Sequence, residues 1–246
     1  MKCNFIKIMI RLLALAWCLQ VWSMAQEVAA PVMIRAAYHN PVKPHAELFI
    51  ADQAGAIVPL NLMAEGLSYA QMTVPVNGSL VIYKTKAVDP KNPQASVAAT
   101  TKIPADWKRM IVLIFPGAAP AAQADQPEYR LLLIHDSPAA FKKGESRVVN
   151  LTSAETALQA GEHRLSLPSG KVTEVPAVKK VNEFNMAQTN FYYKEGTEWV
   201  AFTERQLQYM DTTKRIFLVY LTPGSTQPFV TTLVDNTPQV PVATPP

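Results

Sequence analysis

Lys214-Arg215-Ile216-Phe217-Leu218-Val219-Tyr220-Leu221-Thr222-Pro223-Gly224 is a basic pair, an unbroken apolar run and a Pro-Gly stop. The run is too short for an ordinary helix, rich in β-branched and aromatic residues, and closed by turn residues, which reads as a strand buried on both faces. It has an echo in Lys108-Arg109-Met110-Ile111-Val112-Leu113-Ile114-Phe115-Pro116-Gly117. After a polar or Ala/Pro-rich gap, each copy is followed by a second apolar run that ends in aspartate, Tyr129 to Asp136 and Phe229 to Asp235. A doubled pattern of this kind speaks of a duplicated unit with a central strand and its hairpin neighbour.

The N-terminus reads as a secretory signal peptide over residues 1–25. Lys2, Lys7 and Arg11 form a positive n-region, Leu12 to Val21 an apolar stretch, and Ser23-Met24-Ala25 a small-x-small cleavage site. Trp17 before Cys18 argues against lipid attachment. The apolar stretch is short for a membrane span, and no later stretch is longer. Without the segment, Lys+Arg falls from 23 to 20 against 19 acidic residues, and the net charge drops from +4 to +1. The basic character therefore belongs to the export signal and gives no footprint for nucleic acid. Both cysteines, Cys3 and Cys18, leave with it. That excludes intrachain disulfides, thiolate metal sites and a cysteine nucleophile from the mature chain.

From Val32 onward, short apolar runs alternate with Pro, Gly, Asn and Asp, the pattern of an all-β chain. Strands are expected over Val32–Tyr38, Ala46–Ile50, Val58–Leu62, Ser68–Val74 and Ser79–Tyr83, with Val76-Asn77-Gly78 joining Gln71 to Tyr83 as a hairpin. A Thr/Ala/Val stretch before Asp106 suits an edge strand. In the second half, strands are expected over Ser146–Leu151, Thr156–Gln159, Glu162–Leu167, Lys171–Val175, an aromatic hairpin Asn190–Phe202, and the two closing runs. Glu204 to Met210 is the one stretch that suits a turn or two of helix. Gly117 to Pro127 reads as a surface loop, and the Pro-rich end as a disordered tail.

Lys108 and Lys214 are 106 residues apart, and Asp136 and Asp235 are 99 apart. Two units of about a hundred residues suit tandem antiparallel, immunoglobulin-like β-sandwiches. The expected division is a signal peptide over 1–25, a first sandwich over 26–137, a second over 145–236 and a tail over 237–246. A single large sandwich is the competing arrangement. Arg147-Val148-Val149-Asn150-Leu151-Thr152, Arg164-Leu165-Ser166-Leu167-Pro168-Ser169-Gly170, Trp199 and the Arg215 run resemble uncharacterised secreted all-β proteins of environmental bacteria. The resemblance spans about residues 129–235 and implies the fold and the compartment. It brings no functional motif and no site residues.

Chemistry-bearing residues are sparse. His135-Asp136-Ser137 unites three catalytic residue types at a strand end, but adjacent strand positions face opposite sides and no Gly-x-Ser-x-Gly elbow exists. A capping turn before Pro138 is the competing reading. His39 and His45 flank a loop and lack further ligands in sequence, so no metal site is expected. Glu195 and Glu198 sit on a hairpin tip, unlike a glycosidase pair that must face across a cleft. Asn77-Gly78-Ser79 and Asn150-Leu151-Thr152 match the glycosylation pattern. No phosphate loop, zinc-protease or calcium-loop motif occurs, and no cofactor is expected.

The candidate binding residues are the aromatics Tyr192, Tyr193, Trp199 and Phe202, beside Phe191. Alternation puts Phe191 and Tyr193 on one face of a strand and Tyr192 on the other. The expected function is an exported, non-catalytic module of the cell envelope, periplasmic or extracellular, structural or binding envelope proteins. The alternatives are a carbohydrate-binding module that uses hairpin 190–202, and a hydrolase of unfamiliar type. Nucleic acid is not expected as a partner, nor an integral membrane location after cleavage.

Overall fold

The computed structural model of the protein describes residues 30–40, 46–63, 66–117 and 127–235. The expected signal peptide, His45, most of the Gly117–Pro127 loop and the Pro-rich tail lie outside the described residues. The first half holds β1 (Val32–Tyr38), β2 (Phe49–Ala51), β3 (Ile57–Pro59), β4 (Gln71–Thr73), β5 (Ser79–Tyr83), β6 (Val97–Lys102), β7 (Arg109–Pro116) and β8 (Tyr129–His135). The second holds β9 (Ser146–Asn150), β10 (Thr156–Ala160), β11 (His163–Leu167), β12 (Val172–Val175), β13 (Met186–Glu195), β14 (Glu198–Gln208), β15 (Lys214–Tyr220) and β16 (Phe229–Asp235). Among the described residues the one helical segment is a 3-10 turn at Pro93–Ser96. No helix there is long and apolar enough to cross a membrane.

The strands form four open four-stranded sheets. Sheet A runs β4-β1-β7-β8 and sheet B runs β3-β2-β5-β6. Sheet C, β12-β9-β15-β16, and sheet D, β11-β10-β13-β14, repeat those orders with every strand number raised by eight. The repeat extends to irregularities. In the hairpin pair β5–β6 the register slips between Ile82 and Tyr83, leaving Ala98 unpaired; in β13–β14 it slips between Phe191 and Tyr192, leaving Phe202 unpaired. A bulge puts two residues opposite one and bends the strand, so its recurrence at the same step is a detail that strand chemistry alone would not impose.

Three apolar layers bind these sheets. One draws Ile34, Ala36, Met110, Val112 and Ile114 from sheet A and Ile50, Leu80 and Ile82 from sheet B. Another joins sheets C and D through Val148, Phe217, Val219, Leu158 and Phe191. The third lies between sheets A and C, with Ala37, Ile111, Leu113 and Phe115 on one side and Val149, Ile216 and Leu218 on the other. The sheets thus stack in the order B, A, C, D. This explains why β7 and β15 read as unbroken apolar runs. Alternate residues enter different layers, and Met110 through Phe115 and Ile216 through Val219 are all buried.

Four expectations are corrected. The sheets are not wholly antiparallel, because β1 runs parallel to β7 and β9 parallel to β15. Gln71–Tyr83 is not a hairpin of two paired strands. Asn77 and Gly78 make the tight turn with φ of 51° and 69°, but β4 leaves to pair with β1, and β5 pairs with β2 and β6. Glu204–Met210 is not helical; Glu204 to Gln208 continues β14 against Met186–Asn190. The junction at Ser137–Gly144 is no loose linker, since Phe141 is fully buried in the layer between sheets A and C.

Two buried ion pairs cross that layer. Asp136 Oδ1 accepts from Lys214 Nζ at 2.7 Å, with both side chains 3 % exposed. Asp235 lies 2.8 Å from an Arg35 guanidinium nitrogen, with both side chains 6 % exposed. Each strand-end aspartate of the repeat is neutralised by a base from the other half. A charge removed from water needs such a partner, since an unpaired one costs several kcal/mol. The junction adds cation–π contacts: the Arg147 guanidinium and Lys214 Nζ lie 4.4 and 4.9 Å from the centre of the Phe141 ring.

Candidate functional site

The aromatic hairpin is the longest among the described residues, with ten residues in β13 and eleven in β14. Its loop is Gly196-Thr197, and Gly196 at φ 62° supplies the left-handed first position that a tight two-residue turn requires. Pleating divides the candidate residues. Phe191 is fully buried among the core residues; Phe202 lies against it with ring centres 6.1 Å apart, and Tyr193 against Phe202 at 6.0 Å. The bulge turns Phe202 to the same side as Phe191 and Tyr193, so Tyr193 and Phe202 close the mouth of the core. Tyr192 and Trp199 face the other way. The four residues therefore do not act as one cluster, and only Tyr192 and Trp199 remain on the outer face of sheet D.

On that face the register sets Ala157 and Ala201 on either side of Tyr192. Two methyl groups flank a large ring, and among the described residues no other ring stacks on Tyr192 or Trp199. Trp199 is 45 % exposed, and Lys194 Nζ lies 6.0 Å from its ring centre. Along β13, Gln188 Nε2 donates to Asn190 Oδ1 at 2.6 Å and Asn190 Nδ2 donates to the Tyr192 hydroxyl at 3.1 Å. Gln159 and Glu204 stand opposite Asn190 on the neighbouring strands. A row of planar amides and a phenol is thus held in fixed orientation beside two aromatic faces. The amide row is the part that reading the aromatics alone missed. Its signal in the sequence is the alternation Gln188, Asn190, Tyr192, Lys194, polar on every second residue of a strand whose other residues are core.

The remaining sequence candidates serve structure. His135 stacks on Trp107 at 4.7 Å with planes 11° apart, while Asp136 is held by Lys214. Alternation has parted the two, and no relay joins them. His39 is largely buried between Phe115 and Tyr220, at 6.2 and 4.5 Å, and burial lowers its pKa. Glu195 and Glu198 face each other across the hairpin tip, exposed, with Tyr193 donating to Glu195 at 3.3 Å. Asn150 is fully buried and donates to Ala154 O and Leu167 O, so the folded chain offers no acceptor at that sequon. Among the described residues no three His, Cys, Asp or Glu side chains converge as metal ligands.

A second feature escaped the sequence altogether. The polar segment 176–185 forms a fixed loop against the turn between β10 and β11. Burial raises the Glu162 pKa, but the amides of Lys179 and Lys180 donate to its carboxylate at 2.8 and 3.0 Å and, with His163 beside it, bring it down to about 2. Asn182 Oδ1 accepts from the amides of Phe184 and Met186. Between this loop and residues 209–212 opens a cleft of about 500 Å³, walled by Val178, Val181, Tyr209 and Met210. Tyr209 is fixed by Thr189 at 2.8 Å and by the Arg215 guanidinium 4.9 Å over its ring.

Compared with known protein-family models and with curated proteins, the sequence matches none.

Proposed function

We propose that the protein is an exported, non-catalytic β-sandwich module of the cell envelope, and that it binds polysaccharide on the outer face of sheet D. The observation that carries this reading is the fixed row Gln188, Asn190 and Tyr192 beside the exposed Trp199. Sugar rings present apolar C–H faces that stack on aromatic rings and hydroxyls that pair with amides. A preformed array of both loses little entropy on binding. The charges that the register sets on this face, Lys194 and Arg164 with Glu204, are of both signs and give it no strong field of one sign. The occupation of His135 by Trp107 and of Asp136 by Lys214 supports the non-catalytic part.

The same reading takes the chain as two tandem sandwich units over 26–137 and 145–236, immunoglobulin-like in having two packed sheets per hundred residues. The repeated strand order and the repeated bulge support the duplication. The strand order itself, with the first strand between the fourth and seventh, differs from that of immunoglobulin sheets. Export rests on the n-region, apolar stretch and cleavage site of residues 1–25.

A protein partner in the envelope is the second reading, favoured by β14. This strand forms the edge of sheet D, and an edge offers unpaired backbone groups to an added strand. Pull-down of the mature protein on a panel of insoluble polysaccharides separates the two. Retention that is lost in Tyr192→Ala and Trp199→Ala, with folding intact, supports the first reading. Absence of retention on every polymer, with capture of an envelope protein instead, supports the second.

A further inference from the structure

Phe184 stands 66 % exposed at the tip of the 176–185 loop, and the loop is built to keep it there. Its amide and that of Met186 are held by Asn182 Oδ1, its carbonyl accepts from Gln208 Nε2 at 3.2 Å, and Asn185 beyond it adopts φ 58°. Asn185 N donates to Asn182 O, and Tyr209 N to Asn185 O at 2.7 Å. A left-handed Asn185 and the hydrogen bonds to Asn182, Gln208 and Tyr209 fix the backbone on either side of a ring that stands in water, where it buries little area in the isolated chain. Directly beside it lies the cleft of about 500 Å³, lined by Val178, Val181, Tyr209 and Met210, to which Asn185 also contributes. Knob and hole therefore sit side by side on one surface.

We propose that this surface is the contact between two copies of the chain, each inserting Phe184 into the cleft of the other about a twofold axis. An isologous interface must be self-complementary, since whatever residue i of one copy meets in j, j of the other meets in i. A projecting ring adjacent to a cavity able to hold it meets that requirement; a knob without a hole, or a hole without a knob, would require a different partner. The charges agree. Lys179 and Asp211 both line the cleft, and among the described residues neither is in an ion pair. Across the axis Lys179 of one copy answers Asp211 of the other. Met210, 41 % exposed in the cleft wall, supplies an adaptable apolar contact for the incoming ring. Dimerisation through this loop would join two copies of the chain, each with its own sheet D. It would raise the avidity of a polysaccharide module by presenting two faces to one polymer.

Sedimentation equilibrium of the full mature protein tests the proposal, independently of any polysaccharide. A monomer–dimer equilibrium is expected, with the dissociation constant raised at least tenfold by Phe184→Ala. Lys179→Glu alone is expected to weaken the dimer and Lys179→Glu with Asp211→Lys to restore it. All are surface changes, so unchanged circular dichroism and melting temperature verify the fold. A monomer at every concentration up to about 100 μM, in the range where weak specific contacts are populated, would overturn the proposal. So would a dimer indifferent to Phe184→Ala, or a double charge swap that fails to restore association.

Discussion

Sheet B and sheet D hold the same place in the repeated strand order and share a bulge at the same step, yet they have come to differ in what they carry. In sheet B the hairpin strands β5 and β6 are five and six residues long; in sheet D, β13 and β14 are ten and eleven. The unpaired bulge residue is Ala98 in one and Phe202 in the other. Tyr83 and Tyr192 occupy the matching outer position, but only Tyr192 continues into a row of amides and an exposed tryptophan. The connection before the hairpin is a tight Asn77-Gly78 turn in the first half and the Phe184 loop in the second. What the halves share is what closes a sandwich. What only the second half has, the long amide-bearing hairpin and the Phe184 loop, is where the proposed recognition lies.

The shared part is most sharply broken at the crossing ion pairs. Asp136→Asn leaves Lys214 charged and buried without a counterion, and is expected to cost about 3–5 kcal/mol in urea denaturation. Asp136→Leu with Lys214→Met is expected to recover most of that, because an apolar pair of similar volume avoids the desolvation cost. If the apolar layer between sheets A and C joins the two halves, Trp107 and Trp199, the two tryptophans outside residues 1–25, report a single coincident transition in both variants.

A smaller effect separates the equivalent turns. Gly55 and Gly161 both have positive φ, 80° and 53°, but a Cβ at Gly55 meets nothing within 4 Å whereas one at Gly161 comes within 2.5 Å of Val178. Gly55→Ala is expected to cost about 1 kcal/mol in backbone strain and Gly161→Ala about 2–3 kcal/mol, read from the same denaturation midpoints. Equal costs would detach the 176–185 loop from the turn it is packed on.

Smallest is a pH effect that one half shows and the other lacks. His39 N donates to Ile114 O and Leu151 N to Val219 O, so His39 and Leu151 hold matching places at the ends of β1 and β9. Burial lowers the His39 pKa from its ordinary 6.5, which makes the unfolded chain the better proton acceptor. Stability from this group is therefore full above pH 6.5 and is lost as pH falls through that value toward the lower folded one. Melting temperatures from about pH 8 to about pH 5 are expected to fall less in His39→Leu, which installs the second half's residue.

Much of the scaffold was legible. Val32–Tyr38 reads as a strand with its observed ends, the two Lys-Arg runs read as central, and Tyr129 and Phe229 open their hairpin neighbours. Pairings between distant segments were not, because hydrophobic alternation carries no information on which strand lies alongside. The parallel contact of β1 with β7 and the Lys214–Asp136 pair, 78 residues apart, are of this kind. Asn77-Gly78 was read correctly as a turn, yet turn chemistry could not say that its two strands part into different sheets. Glu204–Met210 looked helical because the charges of Glu204 to Gln208 hide a period of two that becomes visible only against Met186–Asn190. At the site, Tyr192 and Trp199 were legible as aromatics, whereas the fixed amides depend on register, and the cleft on a loop whose composition looks merely polar.

The most direct measurement is the affinity of the protein for any polysaccharide that the proposed pull-down identifies, compared among wild type, Tyr192→Ala and Tyr83→Ala. Calorimetry is expected to show about a tenfold loss, ~1.4 kcal/mol, for Tyr192→Ala and no change for its first-half counterpart. Equal losses in both variants, or undiminished binding by Tyr192→Ala, would contradict the assignment of recognition to the outer face of sheet D.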